Sequence, residues 1–451
     1  MQTKQKFGLF TSICMIVGIV IGSGIFFKSS AVLMYTNGNV MLGVVAFAIA
    51  AIAIVFGSLA LAELSIRTEK EGGIVAYAEK FVGKKVACVF GWFQNLIYFP
   101  SIIAIVAWVS GMFIGMLFDF NKFEYEMLVA VIVIIIFYIM NYISAKASGI
   151  FQNSATIIKL MPLFLFAIVG VIWGEPNFTS SIGSQTDNGN FFWLAALVPV
   201  VFAYDGWIVA TGLSHEIKNS RRNLYLALII APLFILCAYV FYFVGASMLV
   251  GPEQMVELGN GYVFAAATKV FGAYGAKVFL VFVIISILGT VNGLILGHTR
   301  GLYALGRKGM LPFDQALSHI SAKYDTPTKA TLTSVVMASL WLVIHYIVES
   351  FELLAGSDIS EISIVTMYLL FIVLYVQVMR LRKSGEITSN VRGYVIPVLA
   401  TIGSLIIFIC GWVQNIQNEN GMRFWYYIAF SAVVLLIAYS YANTKLKPSV
   451  E

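Results

Sequence analysis

The sequence predicts an all-α membrane protein of about twelve transmembrane helices, on three observations. Composition is the first. Of 451 residues, 60% are hydrophobic and 11% charged, whereas a soluble domain carries roughly 45–50% apolar and about 25% charged residues. Such a chain cannot cover itself with polar surface, so its solvent is lipid. The second is run length. Stretches near the ~20 apolar residues that cross ~30 Å of hydrocarbon recur at 8–35, 40–66, 86–117, 126–146, 154–173, 191–213, 223–249, 274–306, 329–349, 356–381, 393–415 and 422–443. They are too long for barrel strands of ~9–11 residues, and only helices or closed barrels satisfy the backbone in lipid. The third is charge. With the N-terminus inside, 21 Lys and Arg fall in loops of one side and 4 in loops of the other, leaving Lys28, Lys159 and Arg300 within spans. Basic residues concentrate on the cytoplasmic side, so this asymmetry predicts an even number of spans, both termini cytoplasmic, and a multi-pass protein of the cell membrane. It also places the net charge of +6 in loops of one face, which does not argue for nucleic acid.

Taken in order, the chain opens without a small-residue cleavage site, so the apolar stretch from Gly8 reads as the first span rather than a signal peptide. In its middle stands Gly22-Ser23-Gly24. Glycine costs about 1 kcal/mol in a helix interior. One Gly-x-x-x-Gly would suit close helix packing; three consecutive small residues point all round the helix and predict a break. Cys14, Cys88, Cys237 and Cys410 lie in or beside apolar runs without metal-ligand spacing and read as buried packing residues.

The loop 174–190 has no basic residue and divides the spans after the fifth. Spans one to five run from inside to outside, and six to ten run back, as a five-plus-five inverted repeat requires. The expected organisation is a single polytopic domain over 1–451. Residues 8–173 form the first repeat, 191–382 the inverted second, and 393–443 two extra helices. Span six contains Phe202-Ala203-Tyr204-Asp205-Gly206-Trp207. A charge at mid-bilayer costs about 2.5–3.5 kcal/mol on the insertion scale, and aspartate is too short to snorkel. Asp205 beside Gly206 therefore predicts either an acid paired to a neighbouring helix or an acid lining a hydrated cavity at a second break.

Two breaks at one depth have chemical meaning. N–H groups freed at the start of a half-helix bind a carboxylate; C=O groups freed at the end of one bind an ammonium. A free α-amino acid carries both charges. No filter-like loop suggests a channel. His215, His298, His319 and His345 are scattered, with no nucleophile–base or metal-ligand set, so neither enzyme chemistry, a cofactor nor a metal is expected.

At this point the motifs carry a resemblance. Gly22-Ser23-Gly24-Ile25-Phe26, Glu63-Leu64 with Glu71-Gly72-Gly73 and Tyr77, Phe202 to Trp207, and His215 to Asn223 resemble the amino acid–polyamine–organocation (APC) superfamily. So do Arg300 with Leu302-Tyr303-Ala304, Arg307, Gly309 to Pro312, and Thr326-Pro327. The match runs in order from about residue 8 to 330, and is most similar to bacterial members of the L-type amino acid transporter (LAT) group. Ser220 stands where the family motif has proline. The resemblance implies the LeuT-like fold with helices 1 and 6 interrupted, and sodium-independent amino acid exchange. It implies a substrate held by Ile21, Gly22, Ser23, Gly24, Ile25, Phe202, Ala203, Tyr204, Asp205 and Gly206, with Asn292 as a polar neighbour and Phe202 as a gate. Lys159 resembles a lysine that replaces the sodium ion of coupled relatives; by position alone it is also near enough to the interface to snorkel. The loop 119–125 lacks the cysteine that joins animal relatives to a heavy chain, so no disulfide-linked partner is expected. Small neutral substrates such as Ala, Ser, Thr or Cys are the expectation. Proton symport, or cationic substrates held by Asp205, are the alternatives.

Overall fold

The computed structural model describes residues 7–68, 72–120, 122–176, 178, 191–208, 217–354, 357–416 and 421–446. The chain is helical almost throughout. In order, the helices are α1 (Leu9–Val20), α2 (Gly24–Tyr35), α3 (Val40–Ser65), α4 (Gly73–Phe81) and α5 (Lys84–Phe118), then α6 (Phe123–Ile143), α7 (Ala145–Ile158) and α8 (Leu160–Trp173). After the loop come α9 (Phe192–Ala203), α10 (Ser220–Val250), α11 (Pro252–Leu258), α12 (Tyr262–Arg307), α13 (Asp314–Leu317), α14 (Thr328–Ser350), α15 (Ile359–Lys383), α16 (Val391–Ile416) and α17 (Gly421–Lys445).

Among the described residues, 10 helices are long and apolar enough to cross a membrane, and the bent pair α1–α2 brings the number to 11. The remaining expected span, the sixth, is represented by the short apolar helix α9; its continuation at 209–216 lies outside the described residues. Loop residues 179–190 and the motif residues Glu71, His215 and Glu216 also lie outside them.

Several helices are broken for identifiable reasons. The α1 helix ends where Ile21 turns extended (φ −67°, ψ 107°), and α2 starts at Gly24, with the two axes bent by 61°. Within α5, Phe93–Tyr98 forms a wide π-turn ahead of Pro100. Proline has no N–H to give, so this segment leaves carbonyls free, and other helices take them. The Trp341 indole donates to Leu96 O at 2.8 Å, and His298 Nε2 lies 2.7 Å from Asn95 O. The fifth span carries a one-residue irregularity at Lys159. It stops at Ile158 and resumes at Leu160, because Pro162 has no N–H to continue the ladder across Lys159.

In lipid, helices associate through close packing rather than hydrophobic expulsion. The α8–α10 contact has this form: a β-carbon on Gly170 would stand 2.3 Å from Gly245 Cα and O. The expectation that all four cysteines are buried is corrected here. Cys88 and Cys410 are buried, but Cys14 and Cys237 are exposed. They lie on bundle-facing-outward surfaces, where an apolar sequence cannot distinguish lipid from protein as the covering phase.

Candidate functional site

The bend of the first span and the end of α9 meet. A β-carbon on Gly24 would lie 2.7 Å from Ala203 Cα, and one on Gly206 would lie 3.0 Å from Ile19 Cγ2. After Ala203 the chain turns through Tyr204–Gly206, with Gly206 at φ 102°, a left-handed value that glycine adopts freely. Helix α2 thus presents its N-terminal N–H groups, and α1 and α9 their C-terminal carbonyls, around a common point.

A buried helix end needs partners for its orphan groups. Tyr239 of α10 lies with its hydroxyl 2.9 Å from Ala203 O and 3.2 Å from Val20 O, and so donates to the ends of α9 and α1 together. The Lys159 ammonium donates to Gly18 O, one turn back in α1. A cation suits the C-terminal end of a helix dipole. Lys159 is 4% exposed, which rules out the alternative that it snorkels to the interface. It stands at the local irregularity of its own span, three residues before Pro162.

Beside this crossing lies a cavity of ≈ 310 Å³. One wall is Gly22, Ser23 and Gly24; the facing wall is Phe202, Ala203, Asp205 and Gly206. Gln94, Tyr98 and Ile102 of α5 close one flank, and Thr290, Gly293 and Gly297 of α12 the other. Lys159 and Gln152 reach in from the fifth span. Arg300, itself exposed on α12, marks one end; it is ten residues beyond Thr290, about 15 Å along the helix at 1.5 Å per residue. The other end is capped by Phe202, whose ring packs edge-on against Phe27 at 5.2 Å.

Asp205 is the acid of the cavity. The Tyr98 hydroxyl sits 2.6 Å from both of its carboxylate oxygens. Among the described residues no basic side chain forms an ion pair with it. The Gly206 N–H serves the carboxylate as well; half-buried at the cavity wall, that carboxylate keeps lone pairs beyond these two donors, and a cation or a further donor arriving there meets an incompletely satisfied charge.

The structure brings together eight of the sequence-expected residues at this cavity: Gly22, Ser23, Gly24, Lys159, Phe202, Ala203, Asp205 and Gly206. Ile21 and Ile25 are fully buried beside it without lining it, and Tyr204 turns away to pack edge-on against Tyr239 at 5.2 Å. Asn292 is a correction. Its carboxamide is spent elsewhere: Oδ1 accepts from Asn141 and Ser148 at 2.9 Å each, and Nδ2 donates to Gln152 at 3.0 Å. The cavity face of α12 carries Thr290, Gly293, Leu294 and Gly297, spaced i, i+3, i+4, i+7; Asn292 is on the flank that meets α6 and α7. Tyr98, Gln94 and Gln152 were not anticipated. For Tyr98 and Gln94 the available signal is Pro100, a helix-breaking residue in mid-span two positions after Tyr98; Gln152, on another helix, carries none.

Comparison with known proteins identifies the family. A family model described as "Amino acid permease" matches residues 7–437. The serine/threonine exchanger SteT of Bacillus subtilis is 29% identical over 410 residues, 90% of each chain. The b(0,+)-type amino acid transporter 1 of Mus musculus is 28% identical over 353 residues, 75% of this chain and 70% of its own. The human cystine/glutamate transporter is 26% identical over 338 residues, 73% of this chain and 66% of its own. A match over nearly the whole length, on an all-helical membrane fold, means that the chain belongs to the amino acid permease family of the APC superfamily, alongside LAT-type relatives, and is an amino acid transporter rather than an enzyme.

Proposed function

We propose that the protein is a sodium-independent exchanger of small neutral L-amino acids, working by alternating access at the cell membrane with both termini in the cytoplasm. The observation that carries this reading is the meeting of the two breaks at Gly24 and Ala203 beside one cavity. The substrate carboxylate is bound by the N–H groups of Gly22, Ser23 and Gly24 at the positive end of α2. Its ammonium is bound at the negative end of α9 beside Asp205. Lys159, bonded to Gly18 O, holds the end of α1 by a fixed positive charge where a sodium ion would otherwise serve.

The size of the cavity supports a small substrate: ≈ 310 Å³ is at the low end of the roughly 300–1,000 Å³ of ligand pockets. The activity of the Bacillus relative, serine/threonine exchange, supports both the substrate class and the exchange mode. Arg300 marks the cytoplasmic mouth, so the conformation is inward-facing, with Phe202 closing the outer side. Spans one to five and six to ten form the inverted repeat, and one bundle rocks against the other. The carrier acts as a single chain, without a disulfide-linked subunit.

A second reading is favoured by one observation: Asp205 has no basic partner among the described residues, so it is free to hold a cationic side chain or a proton. One experiment separates these readings. Purified protein in liposomes is offered each of twenty amino acids, with or without serine trapped inside, in sodium or choline buffer, with or without an imposed pH gradient. Exchange predicts uptake of alanine, serine or threonine only with internal serine, unchanged by choline. Uptake into empty liposomes driven by the pH gradient overturns exchange, and lysine uptake that exceeds serine uptake overturns the neutral preference.

A further inference from the structure

Above Phe202 lies a buried charge cluster that the transport chemistry does not use. The Lys28 ammonium, on α2, is 2.7 Å from Asp358 Oδ2 and 2.5 Å from Glu361 Oε1, at the start of α15. Asp358 caps α15, its other oxygen accepting the N–H groups of Ser360 and Glu361 at 2.9 and 3.0 Å. The second Glu361 oxygen takes the Gln414 amide at 2.9 Å, from α16. The same ammonium stands 4.8 Å from the centre of the Phe27 ring and 4.9 Å from that of Phe202, within the ~6 Å of a cation–π contact. One buried cation therefore joins the outer half of the broken first span, the tenth span and the aromatic cap of the cavity.

A buried ion cluster is a poor source of stability, because desolvation offsets its attraction; a switching role is its best-attested use. When the outer side opens, water reaches all three ions and returns much of what the broken pairs lose. Such a contact is strong when dry and weak when wet, as a gate contact needs to be.

We propose that Lys28 is a positioning residue for transport, which clamps Phe202 across the outer end of the cavity and ties α2 to α15 when the carrier is closed to the outside. The proposal rests on the reading of the cavity as the transport site. Opening outward breaks the Lys28–Asp358 and Lys28–Glu361 pairs and releases the Phe202 ring.

The test uses the full chain in liposomes with Cys14, Cys88, Cys237 and Cys410 replaced by alanine. Val106→Cys, on the outer stretch of the cavity wall, is labelled by a membrane-impermeant thiol reagent applied from either side. Lys28→Met is expected to raise the outside labelling rate about tenfold by shifting the population outward, and to lower the inside rate. Lys28→Arg restores both rates, which a loss of folded protein does not do. Unchanged rates from both sides in Lys28→Met overturn the proposal. If Lys28→Met yields no folded protein, Glu361→Gln decides, with the same two expectations. Protection of Val106→Cys by serine tests the underlying reading separately: absence of protection by any amino acid removes the transport site, whereas protection with unmoved rates removes only the clamp.

Discussion

Gly24 and Ala203 touch through their backbones: a β-carbon on Gly24 would come within 2.7 Å of Ala203 Cα, a distance that real β-carbons do not tolerate. The neighbour is main chain, with no side chain to rotate aside, so Gly24→Ala must separate the two breaks. Exchange is expected to fall by at least about tenfold, since a misplacement of ~1 Å at a positioned site has effects of that order or more. Gly22 makes the useful contrast. Its nearest neighbour is the Thr290 hydroxyl at 2.8 Å, the end of a rotatable side chain, and Gly22→Ala is expected to keep more activity than Gly24→Ala. Serine exchange by both variants in liposomes at matched protein content checks the order; equal loss would mean that backbone contact is not what requires Gly24.

Tyr98 and Asp205 form the polar pair of the cavity, at 2.6 Å. Tyr98→Phe removes the only side-chain donor to that carboxylate among the described residues. A hydrogen bond to a charged group contributes about 1.5–3 kcal/mol. If the Tyr98 hydroxyl orients Asp205 toward the substrate ammonium, the KM for serine rises roughly ten- to a hundredfold, with a smaller effect on maximal rate. Asp205→Asn keeps the shape and removes the charge. Loss of lysine uptake alone in Asp205→Asn supports a side-chain role for the acid; loss of serine and lysine uptake together supports an ammonium role.

The bend after Val20 and the end of α9 beside Asp205 were legible in the sequence because lipid leaves few other uses for what marks them. Gly22-Ser23-Gly24 and Asp205 are costly in a continuous span, so their presence argues for a cavity. Tyr98 and Gln94 carry no such penalty. In an aromatic-rich, apolar run they look like packing residues, and only the π-turn before Pro100 turns them inward. Lys159 was legible as an anomaly, but its target, Gly18 O, lies 141 residues away on another helix. Asn292 went the other way. Each helical residue is turned about 100° from the last, and sequence alone could not tell which flank of α12 met the cavity. Lys28 was visible as a buried charge, but its partners Asp358 and Glu361 are more than three hundred residues away.

Lys159 makes a direct prediction about ions. Its ammonium bonds Gly18 O within the terminal turn of α1, and Lys159→Met leaves that carbonyl unmet in a buried site, at a cost of about 1–3 kcal/mol. Exchange is expected to drop about tenfold or more, while the wild type runs at the same rate in sodium and in choline. Serine uptake measured in both buffers for both proteins is the check. Sodium dependence in the wild type would show that Lys159 does not stand in for a bound cation.

Asn292 tests the boundary of the site. Its side chain is held by Asn141, Ser148 and Gln152, and its substitution removes polar contacts between α12 and the α6–α7 corner while reaching the cavity wall only through Gln152. Asn292→Ala takes the acceptor from one Asn141 N–H and the donor from Gln152 Oε1, at about 1–3 kcal/mol for each that stays buried and unmet, while the Ser148 hydroxyl keeps Asn141 Oδ1 and the Asn141 amide keeps Phe137 O. The thermal midpoint in detergent is therefore expected to fall by several degrees, with the KM for serine within about twofold of the wild type. A large rise in KM without loss of thermal stability would return Asn292 to the substrate and show that α12 rotates its flank into the cavity during transport.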